Sequence, residues 1–245
     1  PELLRGMGHD AVIYNSAQNI GDAPARTFAA LDPSQVYAPY VAPAQQRVPR
    51  VSPLLAAMGG YNAGEVASGM ATTVITTEMQ QLLGKVQPYQ IDQETNAAGS
   101  ARMIREQVLK ANTSIYQAAQ SQPQYAGMGT TLVVCLFYDN KVLVGHLGDS
   151  RLYMLRAGKF SQVTRDHSLL QEQIDSGVLT PEQARYSLNK NLVARALGIE
   201  AIVPTEISEY RIEANDIYLL CSDGLTDMVE PEVIHTVLDE KRSDL

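Results

Sequence analysis

Apolar positions change their spacing twice along the chain. From Asn62, the residues Ala63, Val66, Ala67, Met70 and Val74 recur at i, i+3, i+4 intervals and continue to Leu82 and Leu83 before Gly84, which predicts an amphipathic helix. A second stripe, Ala101, Ile104, Val108, Ala111 and Ile115, predicts a helix from about Ala97 to Ala119. Two such helices in succession need an apolar surface to cover. The spacing then shortens: "TTLVVCLFY" is rich in β-branched and aromatic residues, "DN" signals a turn, and "KVLVGHL" returns. "RLYML", "RAGK" and "FSQVT" repeat the strand, turn, strand arrangement. The expected order is helix, helix, hairpin, hairpin.

Beyond the hairpins the elements are short. "HSLLQEQIDSG" predicts a helix ending at Gly177, and "TPEQARYS" predicts another, with Thr180 as N-cap, Pro181 at the first helical position and Gln183 completing a capping box. A strand "DIYLLCS" precedes "DGLTD", and a helix is expected from near "EPEVIHTVL". Residues 1–51 differ: prolines scattered through small and polar residues block helices and interrupt any central strand, leaving "DAVIY" as the best strand there. Antiparallel strand signals with helices segregated between them indicate an α+β fold and not a βαβ alternation.

Composition adds bounds to this picture. A length of 245 residues, 45% of them hydrophobic, suffices for one folded unit with a substantial core, so residues 1–245 are expected to form a single domain. The formal charge is -8 and no run of Lys or Arg occurs, which argues against a nucleic-acid or anionic-membrane partner and suits a cationic ligand. The two cysteines, Cys135 and Cys221, lie in apolar runs where a reduced thiol acts as a small hydrophobe. No stretch reaches the roughly 18–20 apolar residues of a membrane span, and "PELLRGMGHD" lacks a signal-peptide core; a cytoplasmic location is expected.

Two places carry candidate chemistry. In "LLCSDGLTD", Asp223 follows an apolar strand and Gly224 allows a sharp turn; in "GHLGDSRLY", Gly148 precedes Asp149, Ser150 and Arg151 at another strand junction. Aspartates presented at strand ends suit a hard divalent cation such as Mg²⁺ or Mn²⁺, which prefers oxygen ligands. The competing reading of each is a structural Asp-Gly type turn. Ser150 has no G-x-S-x-G elbow around it, and His146, His167, His235 and His9 read as core or capping residues.

The order of the motifs is itself informative. "MGGYNAGEVAS", "GMGTTLVVCLF", "GHLGDSRLYMLRAGKFSQVTRDHSLLQEQIDSGVLT", "NLVARALG" and "IYLLCSDGLTDMV" resemble the successive signature blocks of the bacterial metal-dependent serine/threonine phosphatases of the PP2C (PPM) family, over roughly Leu54 to Leu238. The resemblance implies a central antiparallel β-sandwich flanked by pairs of α-helices, and two or three Mn²⁺ or Mg²⁺ ions at one edge of it. It implies hydrolysis of phosphoserine and phosphothreonine by a metal-activated water, with no protein nucleophile. Phosphorylated proteins, targets of a Ser/Thr kinase, are the partners so implied. Asp223 resembles the aspartate of the second metal site and Asp149 that of the additional site; residues 166–190 resemble the flap beside the active site. Gly129 to Thr131 look structural.

Departures from the family pattern lie in the metal blocks. The D-G-M-G-G block with the bridging aspartate reads Ala56-Ala57-Met58-Gly59-Gly60, so Ala57 holds a metal-block position without a carboxylate. Tyr61 occupies the place of a His proposed as general acid, and Arg26 the place of a phosphate-binding Arg, without its acidic cluster. "GMGHDAVIY" has a look similar to these blocks, and by that analogy alone Asp10 is the candidate stand-in for a missing metal carboxylate; no closing G-x-D-N block occurs before Leu245. Weak metal binding is therefore expected, and a non-catalytic phosphatase-like binding module is the alternative reading.

Overall fold

Alternate residues of the strand β4, Leu132–Tyr138, belong to different cores. The computed structural model describes residues 11–15, 28–30, 52–56, 63–83, 99–138, 140–184, 187 and 193–240. Leu132, Val134, Leu136 and Tyr138 pack against the helices α1, Gly64–Leu83, and α2, Gly99–Ser121, meeting Ala71, Ile75 and Met79 of the first and Ile104, Val108 and Ile115 of the second. Val133, Cys135 and Phe137 point the other way, into a core shared with Leu152, Tyr218 and Leu220. A strand buried on both faces shows an unbroken apolar run in place of alternation, as "LVVCLF" does.

Two antiparallel sheets account for this. One has the order β3-β4-β5-β8, where β3 is Ser52–Ala56, β5 Lys141–Leu147 and β8 Glu206–Arg211. The other has the order β2-β1-β9-β6-β7, where β1 is Ala11–Asn15, β2 Phe28–Ala30, β6 Arg151–Arg156, β7 Lys159–Gln162 and β9 Ile217–Cys221. The outer face of the second sheet is covered by Leu225 of the single-turn helix α5, Asp223–Thr226, and by Ile234 and Leu238 of α6, Pro231–Glu240. Helices, sheet, sheet and helices form four layers, the expected α+β sandwich.

The predicted elements of the middle and end of the chain fall where the pattern puts them. The two hairpins, β4-β5 and β6-β7, lie in different sheets. The helix α3, Leu169–Asp175, is capped by Ser168, whose hydroxyl accepts from the N–H of Gln171, and so the capping role considered for His167 belongs to its neighbour. In the capping box of α4, Pro181–Ala184, the Thr180 N–H donates to Gln183 Oε1 at 2.9 Å and the Gln183 N–H to Thr180 Oγ1 at 3.2 Å. β1 takes an interior place between β2 and β9, in the proline-free part of residues 1–51, while Pro53 sits in the edge strand β3, where a missing N–H costs least. β8 is a strand that the sequence pattern missed. Its Glu206, Glu209 and Arg211 suit the edge of a sheet, where charge discourages further pairing, and they hide the alternation.

Candidate active site

Register carries the two candidate aspartates to the same end of the sandwich. In the ladders of the second sheet, Cys221 pairs with both Arg151 of β6 and Ala11 of β1. The strands are antiparallel, so the residues before Arg151 and those after Cys221 emerge together. In the first sheet, Ala56 pairs with Val133 and Leu132 with Leu147, which places the end of β3 and the end of β5 there as well.

Gly148 to Ser150 cross from one sheet to the other at this end, joining β5 to β6. Gly148 has φ +95°, and a Cβ on it would lie 2.4 Å from Cγ2 of Thr131, so the crossing admits only glycine. Thr131 also fixes Ser150: the two hydroxyls are 2.8 Å apart and both are buried. Ser150 is thereby a structural residue of the crossing.

Asp149 is half-buried at the mouth of this crossing. Its pKa is raised to about 6, chiefly by burial and then by the negative charges of Asp223 and Asp166, against a lowering by Arg151. Asp223 opens α5 immediately after β9. Before it, the buried Ser222 hydroxyl has no hydrogen-bond partner among the described residues. A carboxyl that resists ionisation chiefly because it is buried, and further because two other carboxylates stand near it, marks a place short of positive charge. The donor set is hard oxygen, which fits Mg²⁺ or Mn²⁺ better than a thiolate-seeking metal.

The cation that acts on Asp149 among the described residues, Arg151, is already committed. Arg151 grips Asp166 through Nε at 3.0 and 3.1 Å and through a terminal nitrogen at 2.6 Å, and its other terminal nitrogen donates to the Tyr153 hydroxyl at 3.1 Å. Gln162 adds a bond to the Asp166 carboxylate at 2.8 Å. Arg151 thus ties the start of the segment 166–190 to the core of the second sheet. This tie was not legible in the sequence, because the partners meet only through the hairpin of β6 and β7, which folds the chain back on itself.

The fold distributes the remaining candidates unevenly. Asp223 and Asp149 are brought together; Asp10, Arg26, Ala57 and Tyr61 lie outside the described residues. Cys135 and Cys221 are buried and reduced, and burial pushes the Cys221 thiol up to about 12, which makes it inert. His235 is half-buried and stacks on Phe160 with ring centroids 5.9 Å apart, a packing role. His146 and His167 stack on one another at 4.6 Å beside the crossing loop.

Comparison with known proteins bears on this arrangement. Residues 61–245 match the family described as PP2C: Protein phosphatase 2C. The serine/threonine phosphatase stp of Listeria welshimeri is 34% identical over 186 residues, covering 76% of this chain and 70% of that protein. The catalytic domain of serine threonine protein phosphatase PstP, solved in complex with 2 manganese ions, superposes with a TM-score of 0.61 at 33% identity, over 77% of this chain and 74% of that one. Stp1 from Staphylococcus aureus superposes with a TM-score of 0.68 at 26% identity, over 96% of this chain and 86% of that one.

Proposed function

This chain belongs to the protein phosphatase 2C family, and from that premise we propose that it is a metal-dependent phosphatase acting on phosphoserine and phosphothreonine in proteins. The observation that carries the reading is the convergence of Asp149 and Asp223 at one end of the sandwich, where their mutual repulsion leaves room for a counter-cation. Asp149 and Asp223 would hold Mn²⁺ or Mg²⁺, and Asp10, which directly precedes the strand residue paired with Cys221, is the proposed third carboxylate. In a site of this kind the cation supplies an acidified water and neutralises phosphoryl oxygens.

The chain's own residues have supporting tasks. Gly148 fixes where Asp149 emerges, and the Arg151–Asp166 pair fixes where the flap begins. Because Arg151 is neutralised by Asp166, the phosphate is left to Arg26, and Tyr61 is the proposed proton donor to the leaving hydroxyl. The substrates are phosphoproteins and a Ser/Thr kinase is the opposing enzyme. No helix among the described residues is long and apolar enough to cross a membrane. Strands from near both ends of the chain share one sheet, which supports one domain over residues 1–245. The naming of the relatives as phosphatases favours the enzyme over a binding module.

The test is hydrolysis of a phosphothreonine peptide and of p-nitrophenyl phosphate with and without Mn²⁺. Turnover that requires Mn²⁺ and disappears in Asp223→Ala is expected; no turnover at millimolar Mn²⁺ would overturn the reading.

A further inference from the structure

The crossing loop that presents Asp149 is gripped by one residue, His167, through both its backbone and its side chain. His167 bonds Gly148 twice: its backbone N–H donates to the Gly148 carbonyl at 2.8 Å, and its Nδ1 accepts from the Gly148 N–H at 3.2 Å. An N–H can only donate, so Nδ1 is the unprotonated nitrogen and Nε2 carries the hydrogen. That hydrogen points to Glu206 Oε2, 3.2 Å from Nε2. Burial lowers the pKa of His167 against the opposing pull of Glu206, which agrees with a neutral ring.

The neighbouring groups close the arrangement. His146 lies across the β5-β8 ladder from Glu206 and stacks on His167 with the ring planes 8° apart. Its Nε2 is 2.9 Å from the Arg165 carbonyl, which can only accept, so this nitrogen too is protonated. The three side chains come within 4.8 Å of one another at their ligand atoms. With hydrogens held on both Nε2 atoms, however, they form a hydrogen-bonded brace and not a cation site. The His167 carbonyl then accepts from Ala194 N–H at 2.7 Å, and Ser168 begins α3.

We propose that His167 is a positioning residue which, in the tautomer imposed by Glu206, locks the Gly148–Asp149 crossing to the root of the flap, so that metal affinity at Asp149 depends on the Nδ1 acceptor of His167. The inference rests on the proposed role of Asp149 as a metal ligand. A glycine held at φ +95° has no side chain with which to fix its own peptide, and both hydrogen-bonding groups of Gly148 are held by this one residue. The same contact ties the flap to the metal loop. A change in one is transmitted to the other without any residue touching substrate.

The experiment compares amide replacements that imitate one ring nitrogen each. Asn at 167 places its carbonyl oxygen near the Nδ1 position and keeps the acceptor for Gly148; Gln reaches toward Glu206 and loses it. Mn²⁺ binding to the full chain is read from the fall of the free Mn²⁺ paramagnetic resonance signal, alongside peptide hydrolysis and thermal unfolding. His167→Gln is expected to weaken Mn²⁺ binding about 10-fold or more, and His167→Asn to restore it to within about 3-fold of the wild type, since loss of an outer-shell partner typically costs 10–100-fold in affinity. Glu206→Gln, which retains an acceptor for Nε2–H, is expected to stay near wild type while Glu206→Ala does not.

Long-range ¹H–¹⁵N NMR of the imidazoles of the wild type provides a readout independent of metal and of any variant. Protonated Nε2 with unprotonated Nδ1 at His167 is expected, and the opposite tautomer would overturn the proposal. Equal Mn²⁺ affinity in the Gln and Asn variants would overturn it as well. Wild-type protein that binds no Mn²⁺ at millimolar concentration would instead remove the metal-dependent reading on which it rests, and the proposal with it.

Discussion

Asp149 and Asp223 each stand two residues outside the register pair Arg151–Cys221, on the same end of one antiparallel ladder, and the charge of Asp223 helps to hold the Asp149 carboxyl up at about 6. The fold has therefore brought together two like charges that strands alone would not favour. Removal of either carboxylate should remove metal-dependent turnover without unfolding the protein. Asp223→Ala and Asp149→Asn are each expected to lower Mn²⁺-dependent hydrolysis by at least ~100-fold, more than an outer-shell change costs. The rate of a phosphothreonine peptide at saturating Mn²⁺, with thermal unfolding as control, checks this.

The raised pKa of Asp149 has a direction in pH. In the unfolded chain this carboxyl titrates near about 4, so between about 4 and 6 the folded state binds the extra proton and stability falls as pH rises. The loss has an upper size of about 3 kcal/mol and is complete above about pH 6. Unfolding in urea of metal-free wild type and Asp149→Asn should show the variant equal near pH 4 and more stable at pH 8. Mn²⁺ at pH 8 should reverse the order if, as proposed, the ionised Asp149 carboxylate binds the cation.

Replacement of Gly148 by alanine tests the crossing itself. The added Cβ would meet the Thr131 side chain at 2.4 Å on a backbone with φ +95°, so strain and overpacking act together. Gly148→Ala is expected to destabilise by about 2–4 kcal/mol. Urea unfolding with unchanged slope would register it; a loss under about 0.5 kcal/mol, the range of ordinary surface changes, would show that the crossing relaxes freely.

Breaking the Arg151–Asp166 pair should affect both stability and chemistry. Asp166 is 9% exposed, and removal of Arg151 leaves it with Gln162 as its bond. Arg151→Ala is expected to cost about 2 kcal/mol, below the range for fully buried pairs because Arg151 is itself 28% exposed. Loss of the positive charge also pushes the Asp149 carboxyl further up, so the rise of Mn²⁺-dependent activity with pH should move to higher pH. A pH-rate profile measured alongside the unfolding curve separates the two effects.

Where the family pattern has its bridging aspartate, this chain has Ala56-Ala57. A carboxylate at this position adds both a ligand and negative charge. Ala56→Asp is expected to lower the Mn²⁺ concentration for half-maximal hydrolysis about 10-fold or more. An unchanged Mn²⁺ dependence would show that another residue already fills that role.

Much of the architecture was legible because it follows from local periodicity. The stripe through Ala101, Ile104 and Val108 had one solution, a helix on an apolar surface, and the Thr180–Gln183 capping box formed as written. β8 was not legible, since charges at an edge strand mask the alternation that marks an interior one. His167 read as a core or capping residue; it is buried, but a histidine next to a helix start says nothing of the Gly148 peptide that it meets through the fold. Asp166 likewise showed no partner until β6 placed Arg151 beside it.

By itself the sequence determined the kinds of elements and the presence of acidic turns after apolar strands, since periods of 3.6 and 2 and the chemistry of Gly and Asp act over a few residues, while the layered sandwich was implied by the resemblance of its motif blocks to a known family. Only the tertiary structure decided the register by which Asp149 and Asp223 come to one end, that Ser150 is bound to Thr131, and that His167 and Glu206 brace the loop between the sheets. Each of those depends on register between strands far apart in the chain, and register is set by which faces the cores bury, a property of the whole fold.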